Sequence, residues 1–280
     1  MNGLRSAIAG EVLGTWLMVL IGTGSVACAV LTGALQGLWQ VAVVWGLGVA
    51  IAIYTSAALS GAHLNPAVTL AFALLRPDRF SRSRVLPYVA AQLVGAVAAG
   101  LVVWAAFSPF LARFEAKEGL VRGAPGSERA AMVFGEYFPN AAMFGTGSDA
   151  QALVSPLQAA VVEGFGTLIL VLVIFALTDP DNAAAPEPTL VPVVVGATVA
   201  VLIAVFAPIT QAGWNPARDF GPRLVALLAG YGPIAIPGPQ AGFWAYIAGP
   251  LIGGPLGGLL YERGLRPHLP STVPAGTEST

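Results

Sequence analysis

The chain has 280 residues, of which 56% are hydrophobic and only 10% are charged, with a mean hydropathy of +0.77 and a net charge of −1. This composition is too apolar for a soluble domain and predicts a membrane protein. The near-neutral charge, with no block of basic residues, gives no indication of nucleic-acid binding.

Apolar stretches long enough to cross a bilayer recur along the chain. Between Arg5 and Arg76 the only charged residue is Glu11, which leaves room for two spans of about 20 residues each. Four further apolar runs cover about 84–107, 157–178, 190–208 and 241–261. The sequence therefore predicts six membrane-spanning helices embedded in the lipid bilayer.

The basic residues of the short loops fall on one side of the membrane if the spans alternate in direction. Arg5, the cluster that begins at Arg76, and Arg263 and Arg266 near the end of the chain all lie on that side. Because Lys and Arg accumulate in cytoplasmic loops, this pattern predicts a protein of the cell (inner) membrane with both termini in the cytoplasm.

Residues suited to a metal site or to catalysis are scarce. Cys28 is the only cysteine, and the two histidines, His63 and His268, are far apart in the sequence, so we expect no disulfide and no metal site. The predicted spans contain neither a nucleophile with a base nor a pair of aspartates. We therefore expect no catalytic residue, no enzymatic activity and no cofactor.

The first half of the sequence is repeated in the second half. Glu11 stands 54 residues before Asn65, and Glu163 stands 52 residues before Asn215; in each half a glycine lies 19 residues before the Asn. Two halves of three spans each must have opposite orientations, which is the inverted repeat found in transport proteins. The expected organisation is one transmembrane channel domain over 1–280, with halves at about 6–107 and 157–262 and a long outer loop at about 108–156.

The tripeptide Asn-Pro-Ala occurs once in each half. The two copies are Asn65-Pro66-Ala67 and Asn215-Pro216-Ala217. Asn is a strong helix N-cap and Pro is favoured at the first helical position, so each copy predicts the start of a helix. The apolar stretches that follow are too short to cross the bilayer. The predicted fold is therefore an all-α bundle of six transmembrane helices and two re-entrant half-helices.

The starts of the two half-helices are expected to meet near the bilayer centre. Non-helical backbone at that depth must be buried or must line a water-filled cavity. We expect the Asn65 and Asn215 side chains to cap the helices and to point amide donors into a passage. The positive ends of two helix dipoles at this point would repel cations, protons included.

Around both tripeptides the sequence resembles the signature loops of the major intrinsic protein family, the aquaporins and aquaglyceroporins. The resembling segments are Ser60–Ala67 and Asn215–Pro222, and the likeness covers about 6–262. The Tyr137–Asn140 segment, and Asp219 directly after Arg218, resemble the glycerol uptake facilitator subgroup in particular.

This resemblance implies a right-handed six-helix bundle, usually a homotetramer with one pore per subunit. The function that it implies is passive diffusion of glycerol, water and other small neutral solutes; the alternative is a channel mainly for urea, ammonia, metalloid acids or water.

The resemblance also implies a selectivity filter, carried over by spacing from the two Asn residues. Its four positions are Trp45, Ile203, Ala212 and Arg218. Water-selective members usually carry a His at the Ile203 position, and a glycerol facilitator typically has Gly and Phe in place of Ile203 and Ala212. The set found here looks more like that of plant nodulin-type channels, which pass glycerol and other small neutral solutes.

Four further residues are expected to support the re-entrant loops. Glu11 and Glu163 are expected to accept hydrogen bonds from loop N–H groups that would otherwise be unpaired in lipid. His63 is interpreted as loop scaffolding, and Asp219 as the partner of Arg223 four residues later. A carboxylate inside the membrane also fits a proton-coupled carrier, which would show a pH-dependent uptake. A purely structural junction role is a third interpretation.

Overall fold

The computed structural model describes residues 2–270, apart from the side chain of Asn2. Met1 and residues 271–280, which the expected domain of 1–280 includes, lie outside the described residues. Within residues 2–270 the regular structure is entirely helical, with no β-strand. Six helices are long and apolar enough to cross a membrane. The predicted all-α fold with six spans is confirmed, and the chain is a multi-pass membrane protein.

Eight longer helices build the bundle. In chain order they are α1 (Asn2–Ala27), α2 (Leu38–Ser60), α3 (Pro66–Leu75), α4 (Val85–Glu118), α5 (Pro156–Leu177), α6 (Val191–Thr210), α7 (Pro216–Ala226) and α8 (Ala245–Leu259). The short helices α3 and α7 are the two half-helices that follow the Asn-Pro-Ala copies. Irregular helical turns extend α8 on both sides, so that this span runs from Pro239 to His268.

Helix α4 is longer than the predicted third span. It continues past the expected end at about 107 to Glu118 and ends at Gly119, whose φ of 64° requires the left-handed region that glycine adopts easily. The residues between are mostly good helix formers, and Pro109 does not stop the helix. Hydropathy marks the membrane span, but the helix itself continues into polar sequence until a residue ends it.

The second spans of the two halves cross at the glycines of the repeat. A Cβ atom at Gly46 of α2 would collide with the carbonyl oxygen of Gly196 in α6, and a Cβ at Gly196 would collide with the carbonyl of Gly46. Only glycine allows this approach from both sides, which explains why the same residue stands at the same spacing in each half.

The two halves also interlock through their half-helices. Helix α3 packs against α8 of the second half, whereas α7 packs against α4 of the first half. Helix α8 in turn packs closely on α5, where a Cβ at Gly253 would collide with the Gly164 carbonyl. Each half-helix is thereby held in the centre of the bundle by a full span of the other half.

Candidate functional site

Three neighbouring cavities lie in the bundle, and the central one shares lining residues with each of the other two. The central cavity has a volume of about 80 Å³, and the two that flank it have about 340 and 380 Å³. We name the first flanking cavity the long-loop vestibule, because Met132, Glu136 and Asn140 line it, and the second the opposite vestibule, which Arg79 and Arg84 line. A water molecule needs only roughly 10–15 Å³ of such space, so even the central cavity has room for several.

Each half-helix begins at the Asn of its tripeptide. The Oδ1 atom of Asn65 accepts a hydrogen bond from the Ala67 N–H at 2.8 Å. The Oδ1 atom of Asn215 accepts two, from Ala217 N at 3.1 Å and from Arg218 N at 3.2 Å. Both are N-caps followed by Pro at the first helical position, the arrangement that this tripeptide predicts.

The amide nitrogens of the same two side chains tie the re-entrant loops together. Asn65 Nδ2 donates to the carbonyl oxygen of Trp214 at 2.9 Å, and Asn215 Nδ2 donates to that of Leu64 at 2.8 Å. An amide nitrogen carries two hydrogens, so each Asn retains a second donor. Both side chains line the central cavity, where that donor is within reach of a solute.

A buried glutamate supports each loop in the same way. Glu11 accepts hydrogen bonds from the backbone N–H groups of the two residues before Asn65, at 3.0 and 2.8 Å. Glu163 accepts from the two residues before Asn215, at 3.0 and 2.6 Å. The residue directly before each Asn has a positive φ, 53° and 48°, so the loop turns away from helical geometry and its N–H groups need another acceptor.

A glutamine that sequence reasoning missed joins the support of the first loop. Gln92 Nε2 donates to a carboxylate oxygen of Glu11 at 2.7 Å and to the hydroxyl of Thr69 at 2.9 Å. A single polar residue in the apolar run of the third span was the available signal, but spacing alone does not connect it to a loop.

The His63 ring lies in an aromatic cluster beside the first loop. Its centroid is 4.9 Å from that of Phe72, 4.5 Å from that of Phe80 and 5.3 Å from that of Tyr88. Its Nδ1 atom lies 3.2 Å from the Thr69 hydroxyl. The ring therefore packs as part of the scaffold at the junction of the central cavity and the opposite vestibule, both of which His63 lines.

Asp219 connects the second half-helix to the long loop. Its carboxylate forms a two-bond ion pair with Arg223, at 2.9 and 2.8 Å, and accepts a hydrogen bond from the Glu136 backbone N–H at 2.7 Å. Asp219 and Arg223 are both buried. The ion pair is thus shielded from water and fixes a loop residue against α7.

The residues shared by the long-loop vestibule and the central cavity are the four positions carried over by spacing. Trp45, Ile203, Ala212 and Arg218 line both cavities. The guanidinium carbon of Arg218 lies 4.7 Å from the centre of the Trp45 ring system, close enough for a cation–π contact. These four residues, from α2, α6, the second loop and α7, all border the junction of the two cavities, and we call them the ring.

A glutamate of the long loop also reaches this ring. Arg218 Nη2 forms an ion pair with a carboxylate oxygen of Glu136, and Arg218 Nη1 donates to the Phe134 carbonyl at 3.4 Å. Sequence reasoning missed Glu136. It stands next to the segment that resembles the outer loop of glycerol facilitators, yet no repeat or spacing rule relates that loop to Arg218.

Comparisons with known proteins agree with one another. The family model described as "Major intrinsic protein" matches residues 1–261. The chain is 41% identical to the glycerol uptake facilitator protein of Pseudomonas aeruginosa, over 96% of this chain and 92% of the relative. It is 38% identical to the propanediol uptake facilitator PduF of Salmonella typhimurium, over 96% and 97%. The X-ray structure of the aquaglyceroporin from Plasmodium falciparum matches with a TM-score of 0.79 at 26% identity, over 94% of this chain and 98% of that chain.

Proposed function

The chain belongs to the major intrinsic protein family, and we propose that it is a passive transmembrane channel for glycerol, water and other small neutral solutes. The observation that carries this proposal is the row of three cavities in the bundle, the central one of which shares lining residues with each of its neighbours. The similarity to glycerol uptake facilitators along nearly the whole chain supports glycerol as a solute.

The centre of the passage disfavours ions. Two helix N-termini meet there, and each presents roughly half a positive charge, so a cation or a hydronium ion is repelled. A neutral solute loses little at this point, because the free amide donors of Asn65 and Asn215 replace hydrogen bonds that it made to water.

The buried glutamates favour a channel over a proton-coupled carrier. A carrier needs a titratable group that is exposed alternately to the two sides of the membrane. Glu11 and Glu163 have no exposed surface and are engaged by loop N–H groups. Within residues 2–270, neither carboxylate lines any of the three cavities.

We infer that the ring of Trp45, Ile203, Ala212 and Arg218 selects the solute. Arg218 offers fixed hydrogen-bond donors, while Trp45 and Ile203 provide an apolar wall for carbon atoms, a combination that suits a small polyol. The same ring accepts a diol, and the similarity to a propanediol uptake facilitator supports that alternative. Urea, ammonia and metalloid acids are the other candidate solutes.

We further infer the cellular setting. The basic residues of the opposite vestibule, Arg79 and Arg84, support a cytoplasmic location for that end, with both termini on the same side of an inner membrane. Large apolar side chains on the outside of the bundle, such as Trp39, Leu47 and Val161, suit contact with lipid or with neighbouring subunits of a homotetramer.

Stopped-flow swelling of proteoliposomes tests the proposal. Vesicles that contain the protein should take up glycerol and water faster than empty vesicles, with a glycerol flux that rises linearly with concentration and does not change when a proton gradient is imposed. Urea, 1,2-propanediol and a metalloid acid, measured in parallel, rank the solutes. Saturable uptake driven by the gradient would support a carrier, and unchanged permeability to every solute would support a structural role.

A further inference from the structure

Glu136 combines burial, a position on the passage and an unused hydrogen-bond acceptor. It is 1% exposed and lines the long-loop vestibule beside Arg218. One carboxylate oxygen pairs with Arg218, while the other, Oε2, has no hydrogen-bond partner among residues 2–270. An unpaired buried carboxylate oxygen is costly unless a ligand or water occupies it.

We propose that Glu136 is a fifth selectivity residue, which positions the Arg218 guanidinium and accepts a hydrogen bond from a hydroxyl of the passing solute. This inference rests on the proposed function as a channel and extends the ring by one residue from the long loop. The solute class that it favours is a neutral molecule with hydroxyl groups on neighbouring carbons, because donor and acceptor lie side by side.

Hydrogen bonds hold the backbone at Glu136 in place next to Arg218. Its N–H donates to Asp219 at 2.7 Å. The N–H of the next residue, Tyr137, donates to Gln211 Oε1 at 3.1 Å, and the Tyr137 hydroxyl donates to the Ile234 carbonyl at 3.0 Å. A residue anchored to the half-helix and to the second loop can keep a constant distance from Arg218.

The two amide side chains that line the vestibule, those of Gln211 and Asn140, each use both the oxygen and the nitrogen in hydrogen bonds. Gln211 accepts from Tyr137 N and donates to the Met132 carbonyl at 3.1 Å. Asn140 donates to the Ala207 carbonyl and accepts from Ala142 N, both at 3.1 Å. Among the carboxylate- and amide-bearing residues of the described chain that line this vestibule, Glu136 is the one that keeps a side-chain oxygen, Oε2, without a partner.

Several other ionisable groups surround Glu136. The titratable groups that face it are Arg218, Asp219 and Arg223 of α7, Glu163 of α5, Tyr137 of the long loop and Tyr246 of α8. Arg223 is paired with Asp219, so Glu136 is the carboxylate that offsets the charge of Arg218. When Glu136 is ionised, its pair with Arg218 is neutral and binds hydroxyls without attracting anions, whereas a lone guanidinium would attract them.

Burial raises the pKa of Glu136 to about 8, although the charge of Arg218 opposes the shift. As the pH falls through that value, the carboxylate becomes protonated and the pairing with Arg218 weakens. This gives the proposal a second, mutation-free test.

The experiment compares Glu136→Gln with Glu128→Gln in reconstituted proteoliposomes at pH 9, where the wild-type Glu136 carboxylate is ionised. Gln keeps the size of the side chain but removes the charge. Glu128 is the matched control, because it is a buried glutamate of the same loop that bonds to the Gly126 N–H and does not line the vestibule. Because a hydrogen bond to a charged group is stronger than one to a neutral group, we expect the glycerol-to-water permeability ratio of Glu136→Gln to fall about tenfold, which corresponds to about 1.4 kcal/mol. Glu128→Gln should keep the wild-type ratio.

The pH profile of the wild type covers the case in which Glu136→Gln does not fold. The glycerol-to-water ratio should decrease between pH 9 and pH 6 with a midpoint near 8, and the variant, if it folds, should give a flat profile at the low value. A wild-type ratio in Glu136→Gln, or a flat wild-type profile, would overturn the inference. If wild-type vesicles conduct neither solute, the proposed channel function itself is wrong, which is a separate outcome.

Discussion

The two re-entrant loops have the same frame and different chemistry. In both, an Asn caps a short helix, a buried glutamate binds two backbone N–H groups, and an amide reaches the carbonyl of the opposite loop. Around the first loop the additional contacts are uncharged, from Gln92, Thr69 and the aromatic cluster of His63. Around the second they are ionic, from Arg218, Asp219, Arg223 and Glu136. The duplicated residues thus hold both loops in the same way, and we propose that the charged residues of the second loop discriminate among solutes.

Removing the charge of Glu11 or Glu163, which hold the two loops in the same way, should have the largest effect on stability. In the wild type, both carboxylate oxygens of Glu11 and of Glu163 accept from loop N–H groups. In Glu11→Gln and Glu163→Gln, one of these oxygens is replaced by an NH₂ group, which cannot accept. At least one hydrogen bond to a charged acceptor is therefore lost. We expect a destabilisation of about 2–4 kcal/mol in each variant, since buried hydrogen bonds to charged groups contribute about 1.5–3 kcal/mol each. Thermal unfolding of the purified protein measures it.

The same two variants also separate support from proton coupling. Protein that does fold should still conduct glycerol, because both carboxylates lie behind the loops. A variant of normal stability that no longer conducts, or that conducts with a shifted pH profile, would assign the carboxylate to transport.

Enlarging one side chain of the ring tests whether the ring selects the solute. Ala212→Phe fills space that a carbon backbone must use, while water can still pass along the Arg218 donors. We expect glycerol permeability to fall roughly 10- to 200-fold more than water permeability, since apolar walls discriminate by about 1–3 kcal/mol per methylene-sized change. Ala62→Phe is the matched control, because Ala62 precedes its Asn by the same three residues and also has a positive φ. It lines the central cavity and the opposite vestibule but is not one of the four ring residues, so the glycerol-to-water permeability ratio should change less than in Ala212→Phe.

Removing bulk from the ring should have the opposite and smaller effect. Ile203→Gly takes a branched side chain from the wall of the ring and leaves the hydrogen-bond donors in place. We expect glycerol permeability to rise by about tenfold and longer polyols such as erythritol to enter. Swelling rates with a series of polyols measure this, and an unchanged size limit would remove Ile203 from the ring.

The frame could be predicted from the sequence because it is duplicated. Glu11 and Glu163, the glycines of the crossing spans and the two tripeptides recur at nearly equal spacing, and helix-start chemistry then predicts the half-helices. Gln92 and Glu136 could not be predicted, because neither has a counterpart at a matching position that would mark it. Gln92 lies 81 residues from Glu11, and Glu136 lies 82 residues from Arg218. Such pairings depend on how the third span and the long loop fold back, which local patterns do not encode.

The smallest expected effect compares the two N-caps themselves. Replacing a capping Asn by Ala generally costs about 0.5–2 kcal/mol. Asn215 accepts hydrogen bonds from two backbone N–H groups and Asn65 from one, while each donates one bond across to the opposite loop. We therefore expect Asn215→Ala to lower the free energy of unfolding by about 1 kcal/mol more than Asn65→Ala, since a neutral hydrogen bond contributes about that amount. Thermal unfolding of the two variants side by side measures the difference. Equal losses of unfolding free energy would mean that the bond from each Asn to the opposite loop determines the destabilisation. The second cap bond of Asn215 would then contribute nothing to stability.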